Sequence, residues 1–273
     1  MLGSIRNRII EWYPQVFARN KYLKLNQFFV MLGLRGLGIL NFNKVKGGEE
    51  FLARYIEKNY TLKTVFDVGA NEGDYAEMLS GTGANIFCFE PHPKTCEKLG
   101  KRFRDHHTIK VYNVGLSDRD ETAKIYDRSD EDGSAHASVY EEVITSFHKK
   151  EAVVTDISLI TLDSFVEKNS IQHIDLLKID TEGNELKVLK GAVETLKNMR
   201  IDIIQFEFNE MNVISGSFLR DFVRILDGYN LYRLLPNEFL AINYHKVRPV
   251  LYEIFAYQNI VAFRKDIDKI KRN

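Results

Sequence analysis

The chain has 273 residues, of which 44% are hydrophobic, and it carries 38 basic and 38 acidic side chains. This length suits one large α/β domain, or one domain with an N-terminal extension. A net charge of zero excludes nucleic-acid binding through bulk electrostatics, which requires a basic excess. Cys88 and Cys96 lack the spacing of a zinc site or a disulfide framework, so we expect a reducing, cytoplasmic environment.

Residues 1–46 are predicted to form a helical N-terminal extension without a signal-peptide pattern. Residues 5–30 mix arginine and lysine with aromatic side chains, and residues 28–40 are apolar but include Arg35 and three glycines. That stretch is shorter than the roughly 20 apolar residues of a spanning helix. Two interpretations stay open: a peripheral contact with the inner face of the membrane, or a helical cover that packs on the core or on another subunit.

From residue 47 the pattern changes to alternating helices and strands, which we assign to one domain over residues 47–266 with a tail at 267–273. Short buried strands separated by amphipathic helices predict a mostly parallel sheet with helices on both faces. Seven strands are predicted, at residues 64–68, 85–90, 108–114, 174–180, 201–208, 231–235 and 260–264. Helices are predicted at residues 47–60, 74–80, 94–103, 162–168, 183–196 and 218–226.

Two segments do not fit the simple alternation. About 55 residues separate the strand at 108–114 from the strand at 174–180, which is too long for a simple crossover. Strand-like composition at residues 122–126, 137–140 and 153–160 predicts a β-hairpin insertion there. Residues 236–259 form a second, less regular insertion that is rich in tyrosine and includes His245.

Polar side chains recur at or just past the carboxyl ends of the predicted strands. They are Asp67, Glu90, Ser117, Asp180 and Glu207. Open α/β sheets bind ligands beyond this edge, so we expect these five positions to converge on one cleft.

The loop after the first strand indicates the charge of the ligand. Gly69 allows a close approach of the backbone, but Asn71 stands where a dinucleotide fingerprint has its second glycine. Glu72 and Asp74 lie at the start of the next helix, where they would repel a pyrophosphate. A cationic ligand such as S-adenosylmethionine suits these acids, with Asp67 as the partner of its ammonium group, either directly or through water. A nucleotide-dependent oxidoreductase is the disfavoured alternative.

The next two strand ends supply the rest of a nucleoside site. Glu90 lies about twenty residues beyond the glycine loop, the spacing at which an acid accepts hydrogen bonds from both ribose hydroxyls. Pro91 fixes the chain after it. Leu116 is placed to contact an adenine ring, and Ser117 or Asp118 can accept a hydrogen bond from the adenine amino group.

The catalytic candidates follow the fourth and fifth strands. Asp180, Glu182 and Glu207 can act as the base or orient a substrate hydroxyl, and His136 of the insertion is an outside candidate. A helix N-terminal cap involving Glu182 and Glu185 is the competing interpretation of this block. The histidines and acids show no spaced metal motif, so no metal is expected.

Four blocks in this order resemble the FkbM family of methyltransferases. They are Phe66-Asp67-Val68-Gly69-Ala70-Asn71-Glu72-Gly73-Asp74-Tyr75, Phe89-Glu90-Pro91, Gly115-Leu116-Ser117-Asp118 and Leu177-Lys178-Ile179-Asp180-Thr181-Glu182-Gly183-Asn184-Glu185. The resemblance runs from about residue 48 to residue 264, and Thr181 is a mild departure from the family's Asp-Val-Glu-Gly pattern. The first 45 residues carry none of it.

The resemblance implies a class I methyltransferase (Rossmann-like) fold that uses S-adenosylmethionine and methylates oxygen. By motif, Asp67, Gly69, Asn71 and Glu90 would contact the cofactor, together with Asp180 and with the block residues Ala70, Tyr75, Pro91, Leu116 and Ser117. The implied acceptor is a small molecule or glycan hydroxyl, such as a sugar of a bacterial surface polysaccharide or a related natural product. A scaffold that binds the cofactor without turnover is the non-enzyme alternative.

Overall fold

The structure is a computed structural model that describes residues 2–42, 47–130, 133–134, 136–244 and 249–270. His245, the end of the predicted extension at residues 43–46 and the tail residues 271–273 lie outside this description. Ten α-helices occur in the described ranges. They are α1 (Leu2–Phe17), α2 (Leu23–Gly36), α3 (Glu49–Asn59), α4 (Asp74–Leu79), α5 (Pro93–Arg102), α6 (Leu162–Lys168), α7 (Glu185–Lys190), α8 (Val193–Lys197), α9 (Met211–Ile214) and α10 (Leu219–Ile225).

The same residues form eleven strands. They are β1 (Thr64–Val68), β2 (Asn85–Phe89), β3 (Ile109–Tyr112), β4 (Gly115–Leu116), β5 (Glu121–Arg128), β6 (Ala152–Ile160), β7 (Ile174–Ile179), β8 (Ile201–Phe208), β9 (Tyr229–Leu234), β10 (Phe239–Ala241) and β11 (Gln258–Arg264). The predicted alternation of strands and helices is therefore confirmed.

The main sheet has the strand order β10-β9-β11-β8-β7-β1-β2-β3. The five strands from β8 to β3 in this order run parallel, whereas β11 is antiparallel to both β8 and β9. The predicted fold class is correct, but the predicted count of seven strands is one short. The additional strand, β10, has only three residues and pairs at the edge with β9, which is too short to give a clear period-two pattern.

Side chains of the central strands alternate between two apolar clusters, one on each face of the sheet. Phe66 and Leu177 belong to the cluster that packs against α6, α7, α8 and α10. Val65 and Leu176 belong to the other cluster, which packs against α3, α4 and α5. This two-sided burial explains the continuous apolar runs of β1 and β7, and it fixes which side chains reach the carboxyl edge.

The long insertion forms a small second sheet of β4, β6 and β5, in that order. β5 and β6 are antiparallel over eight residue pairs, which confirms the predicted hairpin. The strand predicted at residues 137–140 is wrong. That segment makes a single antiparallel bridge, between Tyr126 and Ser138, and otherwise runs as a loop across the hairpin.

The helix predicted at residues 183–196 is divided in the structure into α7 and α8. The break falls at Gly191, where an added Cβ would collide with the carbonyl oxygen of Ser117. This close packing of backbone on backbone brings the end of α7 against the loop after β4. A contact between residues so far apart in sequence leaves no local signal, so the helical pattern reads as continuous.

Candidate active site

The glycines of the loop after β1 are required by packing inside the protein. Gly69 has φ 76°, and an added Cβ would overlap the carbonyl oxygen of Asp180. An added Cβ at Gly73, φ 89°, would meet the ring of Phe103. The sequence assigned Gly69 to ligand approach, and Gly69 does line the cavity described next. The structure adds that Gly69 packs the loop after β1 against the loop after β7.

Asn71 and Glu90 form the polar wall of a cavity beside this loop. The backbone N–H of Asn71 donates to Glu90 Oε2 at 2.9 Å, and the N–H of His92 donates to Glu90 Oε1 at 2.9 Å. These bonds fix the orientation of the carboxyl group. Burial raises the pKa of Glu90 to about 7, although both N–H groups act to lower it.

We call this space the donor cavity, because it adjoins the loop after β1, to which the sequence assigns the methyl donor. It encloses about 590 Å³ that no atom occupies, including the part that is open to solvent. Polar groups line one part of it and the apolar side chains of the hairpin line the other. Its walls are Val68, Gly69, Asn71, Glu90, Pro91, Gly115, Leu116, Ile125, Ser134, Ala137, Val139, Leu159, Asp180, Thr181, Glu182 and Asn184.

A second cavity, of about 640 Å³, adjoins the first and shares Gly69, Asn71 and Asp180 with it. Its other walls are Glu49, Ala70, Glu72, Asp74, Tyr75, Met78 and Lys178. The Tyr75 hydroxyl donates to Gln205 Oε1 at 2.7 Å, which holds the ring at the base of this cavity. Asp180 therefore stands at the boundary between the two spaces.

Lys178 connects Asp67 to this boundary. Asp67 is completely buried and lines neither cavity. The Lys178 ammonium lies 3.4 Å from Asp67 Oδ1 and 3.2 Å from Asp180 Oδ2, and it donates to the Gly69 carbonyl oxygen at 3.4 Å. Burial lowers the pKa of Lys178, but the carboxylates of Asp180, Asp67 and Glu49 together raise it well above its usual range. Asp67 thus acts on the site through a buried lysine.

Ser117 also lies away from the cavity wall. Its side chain is buried, its N–H donates to the carbonyl oxygen of Ile160, and its own carbonyl faces Gly191. Leu116, one residue earlier, does line the donor cavity. Direct cofactor contacts by Asp67 and Ser117 find no support in this geometry, whereas those of Gly69, Asn71, Glu90, Pro91, Leu116 and Asp180 remain well-placed predictions.

Glu182 has a backbone conformation that is uncommon for a residue with a side chain. Its φ is 50°, and Asn71, on the facing wall of the donor cavity, has φ 47°. Such residues cluster at functional sites, where the surrounding structure holds them in place. The Ser138 hydroxyl donates to the Glu182 carbonyl oxygen at 2.8 Å, which ties this strained residue to the loop that crosses the hairpin.

The Glu182 carboxylate meets the His136 ring, with 3.3 Å between Oε1 and Nδ1. Burial raises the pKa of Glu182, while its contact with His136 acts to lower it. The ring centroid of His148 lies 4.5 Å from that of His136, and burial lowers the pKa of His148. His136 is therefore the histidine that the fold brings to the acidic residues, as the sequence proposed.

The capping role falls to Glu185, which the sequence considered only as part of a cap. Its Oε1 accepts from the N–H groups of Thr181 and Gly183, both at 3.0 Å, and from the Thr181 hydroxyl at 3.1 Å. Burial raises the pKa of Glu185 to about 7. Because Glu185 holds this turn together, the side chains of Asp180 and Glu182 are left to face the cavity.

Glu207 stands at the end of β8, and it lines neither cavity. Burial raises its pKa well above the usual range, and the nearby carboxylates of Asp180, Glu182 and Glu49 raise it further. Its Oε2 accepts from Asn209 Nδ2 at 3.3 Å. The pKa of Tyr257 is raised as well, by burial first and then by Glu207. Burial and the neighbouring carboxylates therefore both disfavour the charged form of Glu207.

The described residues contain one group of three potential metal ligands, His173, Asp175 and Asp202. They lie at the amino ends of β7 and β8, opposite the donor cavity. Asp175 Oδ2 accepts from the N–H groups that start β1, and Asp202 pairs with His173 at 3.0 Å and with Arg264 at 2.8 Å. These contacts give the cluster a structural role, and independence from metal at the site stays a prediction.

The fold and the cavity together identify the class of protein. An open sheet with five parallel strands, an antiparallel strand inserted beside β8, and a buried acid after β2 that lines a cavity at the carboxyl edge is the class I methyltransferase architecture. Residues 67–231 match the model described as the methyltransferase FkbM domain, which is more than half of the chain. The chain therefore belongs to the FkbM methyltransferase family, whose methyl donor is S-adenosylmethionine.

Two characterised relatives are similar to this chain. It is 30% identical over 168 residues to the hexuronic acid methyltransferase AglP of Haloferax volcanii, a match that covers 61% of this chain and 65% of AglP. It is 27% identical over 191 residues to the 2-O-methyltransferase NoeI of Sinorhizobium fredii, covering 63% of this chain and 74% of NoeI. The chain thus spans just under two thirds of AglP. An O-methyltransferase of Bacillus cereus solved with SAH covers 93% of this chain and 96% of its own, at 12% identity and a TM-score of 0.42, too low to bear on function.

The donor cavity offers the groups that S-adenosylmethionine needs. The side-chain oxygens of Asn71 and Asn184 are buried, and neither has a hydrogen-bond partner in the part of the chain that the structure describes. Both residues line the cavity, so these acceptors are available to a ligand that donates hydrogen bonds. With the Glu90 carboxyl group beside them, the residues present fit an adenosine moiety and an ammonium group.

Proposed function

We propose that this protein transfers a methyl group from S-adenosylmethionine to a sugar hydroxyl, in a surface polysaccharide or a related glycan. The observation that carries the proposal is the junction at Asp180, where the donor cavity meets a second, acid-lined cavity. The names of both relatives support the acceptor class, because one methylates a hexuronic acid and the other acts at a 2-oxygen. When bound, S-adenosylmethionine supplies a methyl group that is already activated for transfer.

The residues of the donor cavity bind and orient the donor. Glu90 is the acceptor for the ribose hydroxyls, since two backbone N–H groups hold its carboxyl group in one orientation. Leu116 and the apolar side chains of the hairpin, Ile125 and Leu159, supply the walls for the adenine ring. Asp180, which is paired with Lys178, places negative charge near the boundary of the cavities, where a sulfonium centre gains most from it.

Glu182 is the group best suited to take the proton of the acceptor hydroxyl. A hydroxyl is a weak acid, so a carboxylate with a raised pKa is a better acceptor for its proton than an exposed one. Burial raises the pKa of Glu182, and it lies against His136, whose side chain is 43% exposed. His136 orients the carboxylate and connects it to solvent.

The test is transfer of labelled methyl groups from S-adenosylmethionine to glycans of the host, followed by defined glycosides. Glu182→Gln is expected to lower kcat by about 100-fold or more, the usual range for removing a general base. The Kd of the donor should stay within about twofold, because Glu90 and Asn71 are untouched. Glu194→Gln, an exposed acid on α8 far from the cleft, is the matched control.

Two results would reject this function. Donor binding with no transfer to any glycan hydroxyl would indicate a scaffold, and tight NAD binding without donor binding would indicate an oxidoreductase. If Glu182→Gln keeps full kcat while the wild-type protein is active, the function stands but the base is misassigned. We also propose that residues 47–266 form the catalytic unit and that it works in the cytoplasm, which agrees with the free thiols of Cys88 and Cys96.

A further inference from the structure

Helices α1 and α2 form a hairpin around a short turn at Asn20–Tyr22. The Tyr13 hydroxyl donates to Asn26 Oδ1 at 2.7 Å, and Asn26 Nδ2 donates to the Phe17 carbonyl oxygen at 2.9 Å. The rings of Tyr13 and Phe17 stack at 4.7 Å. Contacts near the turn therefore link the two helices, and no residue of α2 is buried.

A belt of exposed apolar side chains surrounds the middle of α2. The five consecutive side chains from Phe28 to Leu32 are all exposed, between 41% and 58%. Successive helical residues are about 100° apart, so five of them cover the whole circumference. A protein groove would cover one side of such a helix and leave the others in water. A surrounding apolar medium covers all of them.

Helix α1 also exposes apolar side chains. Ile5, Ile9, Ile10 and Trp12 are each more than half exposed. Contiguous exposed apolar area on this scale marks an interaction surface. Trp12, with its amphipathic indole, is the kind of side chain that settles at a membrane–water interface.

The charge of the hairpin shows which partner fits. Residues 2–42 contain six arginines and lysines and one acid, Glu11, although the whole chain is neutral. Lys21 and Lys24 lie at the start of α2 and Arg35 lies at its end. These long side chains can reach lipid head groups from both ends of an apolar helix. The same positive charge opposes the pairing of two hairpins from two copies of the chain.

The length of α2 limits how it can enter a bilayer. Its 14 residues span about 21 Å, less than the hydrocarbon core of about 30 Å. No helix in the described residues has the length and apolar character to cross a membrane. A short helix with an apolar middle and cations at both ends can instead enter one leaflet, with its middle in the acyl region and its cations at the head groups.

We infer that the α1–α2 hairpin docks the protein on an anionic lipid bilayer, with α2 embedded in the head-group and acyl boundary. The hairpin is joined to the catalytic body at residues 37–40. The N–H of Leu40 donates to the Tyr257 carbonyl oxygen at 2.8 Å, Arg233 donates to the Leu37 carbonyl oxygen at 3.1 Å, and Ile39 is completely buried. The docking surface is therefore anchored beside Tyr257, whose pKa responds to Glu207 at the end of β8.

The experiment measures binding of the full chain to two kinds of vesicle, phosphatidylcholine alone and phosphatidylcholine with about 30 mol% phosphatidylglycerol. Trp12 is the single tryptophan of the chain, so its fluorescence reports on the hairpin alone. We expect sedimentation with the anionic vesicles and a blue shift of the Trp12 emission. Binding should fall by about tenfold or more in about 0.5 M NaCl, which screens the hairpin cations.

Two pairs of variants separate the apolar and the charged contributions. Phe28→Ser with Phe29→Ser should abolish binding to both vesicles, whereas Val193→Ser with Val213→Ser, equally exposed on the body, should not. Lys21→Glu with Lys24→Glu should reduce binding to anionic vesicles by at least about 25-fold, since each cation contributes about fivefold.

Equal binding by wild type and the Phe28/Phe29 variant, or no binding to anionic vesicles, would overturn the inference. A wild-type dimer that the Phe28/Phe29 variant dissociates, without any vesicle binding, would assign the surface to a second copy and also overturn it. None of these measurements depends on catalysis.

Discussion

Replacing Glu90 with glutamine tests whether this carboxyl group binds the donor. In the free protein, burial raises the pKa of Glu90 to about 7. Ribose hydroxyls donate hydrogen bonds to a carboxylate, so donor binding favours the ionised form. Below pH 7 the group must lose its proton before it binds. The Kd of S-adenosylmethionine should therefore increase by about tenfold between pH 8 and pH 6.

The size of the effect follows from the contacts of Glu90. A hydrogen bond to a charged group contributes about 1.5–3 kcal/mol, and glutamine keeps one carbonyl acceptor where glutamate has two oxygens. Glu90→Gln should thus weaken donor binding by about 10- to 100-fold at pH 8. The dependence on pH should disappear, because the amide does not titrate.

Stability responds differently from binding. The raised pKa means that an ionised Glu90 costs the folded state stability, a cost that is absent below about pH 4.5 and reaches about 3 kcal/mol above pH 7. Glutamine avoids this cost, but its amide N–H₂ must face the N–H of either Asn71 or His92, which costs about 1–3 kcal/mol. The two effects offset each other, so the free energy of unfolding should change little at pH 8.

Calorimetric titration at pH 6, 7 and 8, with thermal unfolding at each pH, measures both quantities. Glu194→Gln serves as the matched control and should keep the wild-type Kd at every pH. A Glu90→Gln variant with the wild-type Kd, or with an unchanged dependence on pH, would show that the ribose is bound elsewhere.

Further predictions concern the packing beneath the site. Gly69→Ala should destabilise the fold by about 4 kcal/mol or more, because the new methyl group overlaps the Asp180 carbonyl oxygen. Gly83→Ala is its control, since Gly83 has the same φ of 76° with no atom within 4 Å, and should cost about 1 kcal/mol; equal losses in chemical denaturation would contradict the close contact. Lys178→Met should cost about 3–5 kcal/mol by leaving Asp67 buried without a cation. That loss should shrink as the pH falls, because Asp67, whose pKa is already raised, then becomes neutral; a loss that is constant from pH 8 to pH 5 would count against the pairing.

The sequence predicts the architecture well because the strongest signals are local. Strands such as β1 and β7 are continuous apolar runs, because helices cover both faces of the sheet, and such runs are easily recognised in the sequence. The parallel sheet follows from the alternation of these runs with helices. Glu90 could be predicted for the same reason, since its role depends on one strand end and one spacing. The sequence does not predict the edge strand β10, because three residues are too few to show the alternation of apolar and polar side chains.

The parts of the site that the sequence does not specify depend on contacts between residues far apart in the chain. Asp67 shares the α4 face of β1 with Val65, so it points away from the donor cavity, which Val68 lines. The Ser117 carbonyl oxygen packs against Gly191, and the Ser117 hydroxyl lies 3.4 Å from Asn184 Nδ2, so its placement depends on residues far along the chain. Glu185 accepts hydrogen bonds from a turn in which Glu182 takes a positive φ, a conformation that no sequence template assigns to glutamate.

The overlap of Gly69 with the Asp180 carbonyl oxygen also has an evolutionary consequence. The loops after β1 and β7 are in close contact, so neither can lengthen without displacing the other. A family member that keeps this contact should therefore keep nearly the same backbone at the base of the donor cavity. New acceptor preferences must then arise where the chain is free to vary, above all in the β5–β6 hairpin and the loop that crosses it, which reaches Glu182 through His136 and Ser138. Changes in that hairpin can alter acceptor specificity while the loops after β1 and β7 stay unchanged. Redesign of specificity should therefore begin with the hairpin.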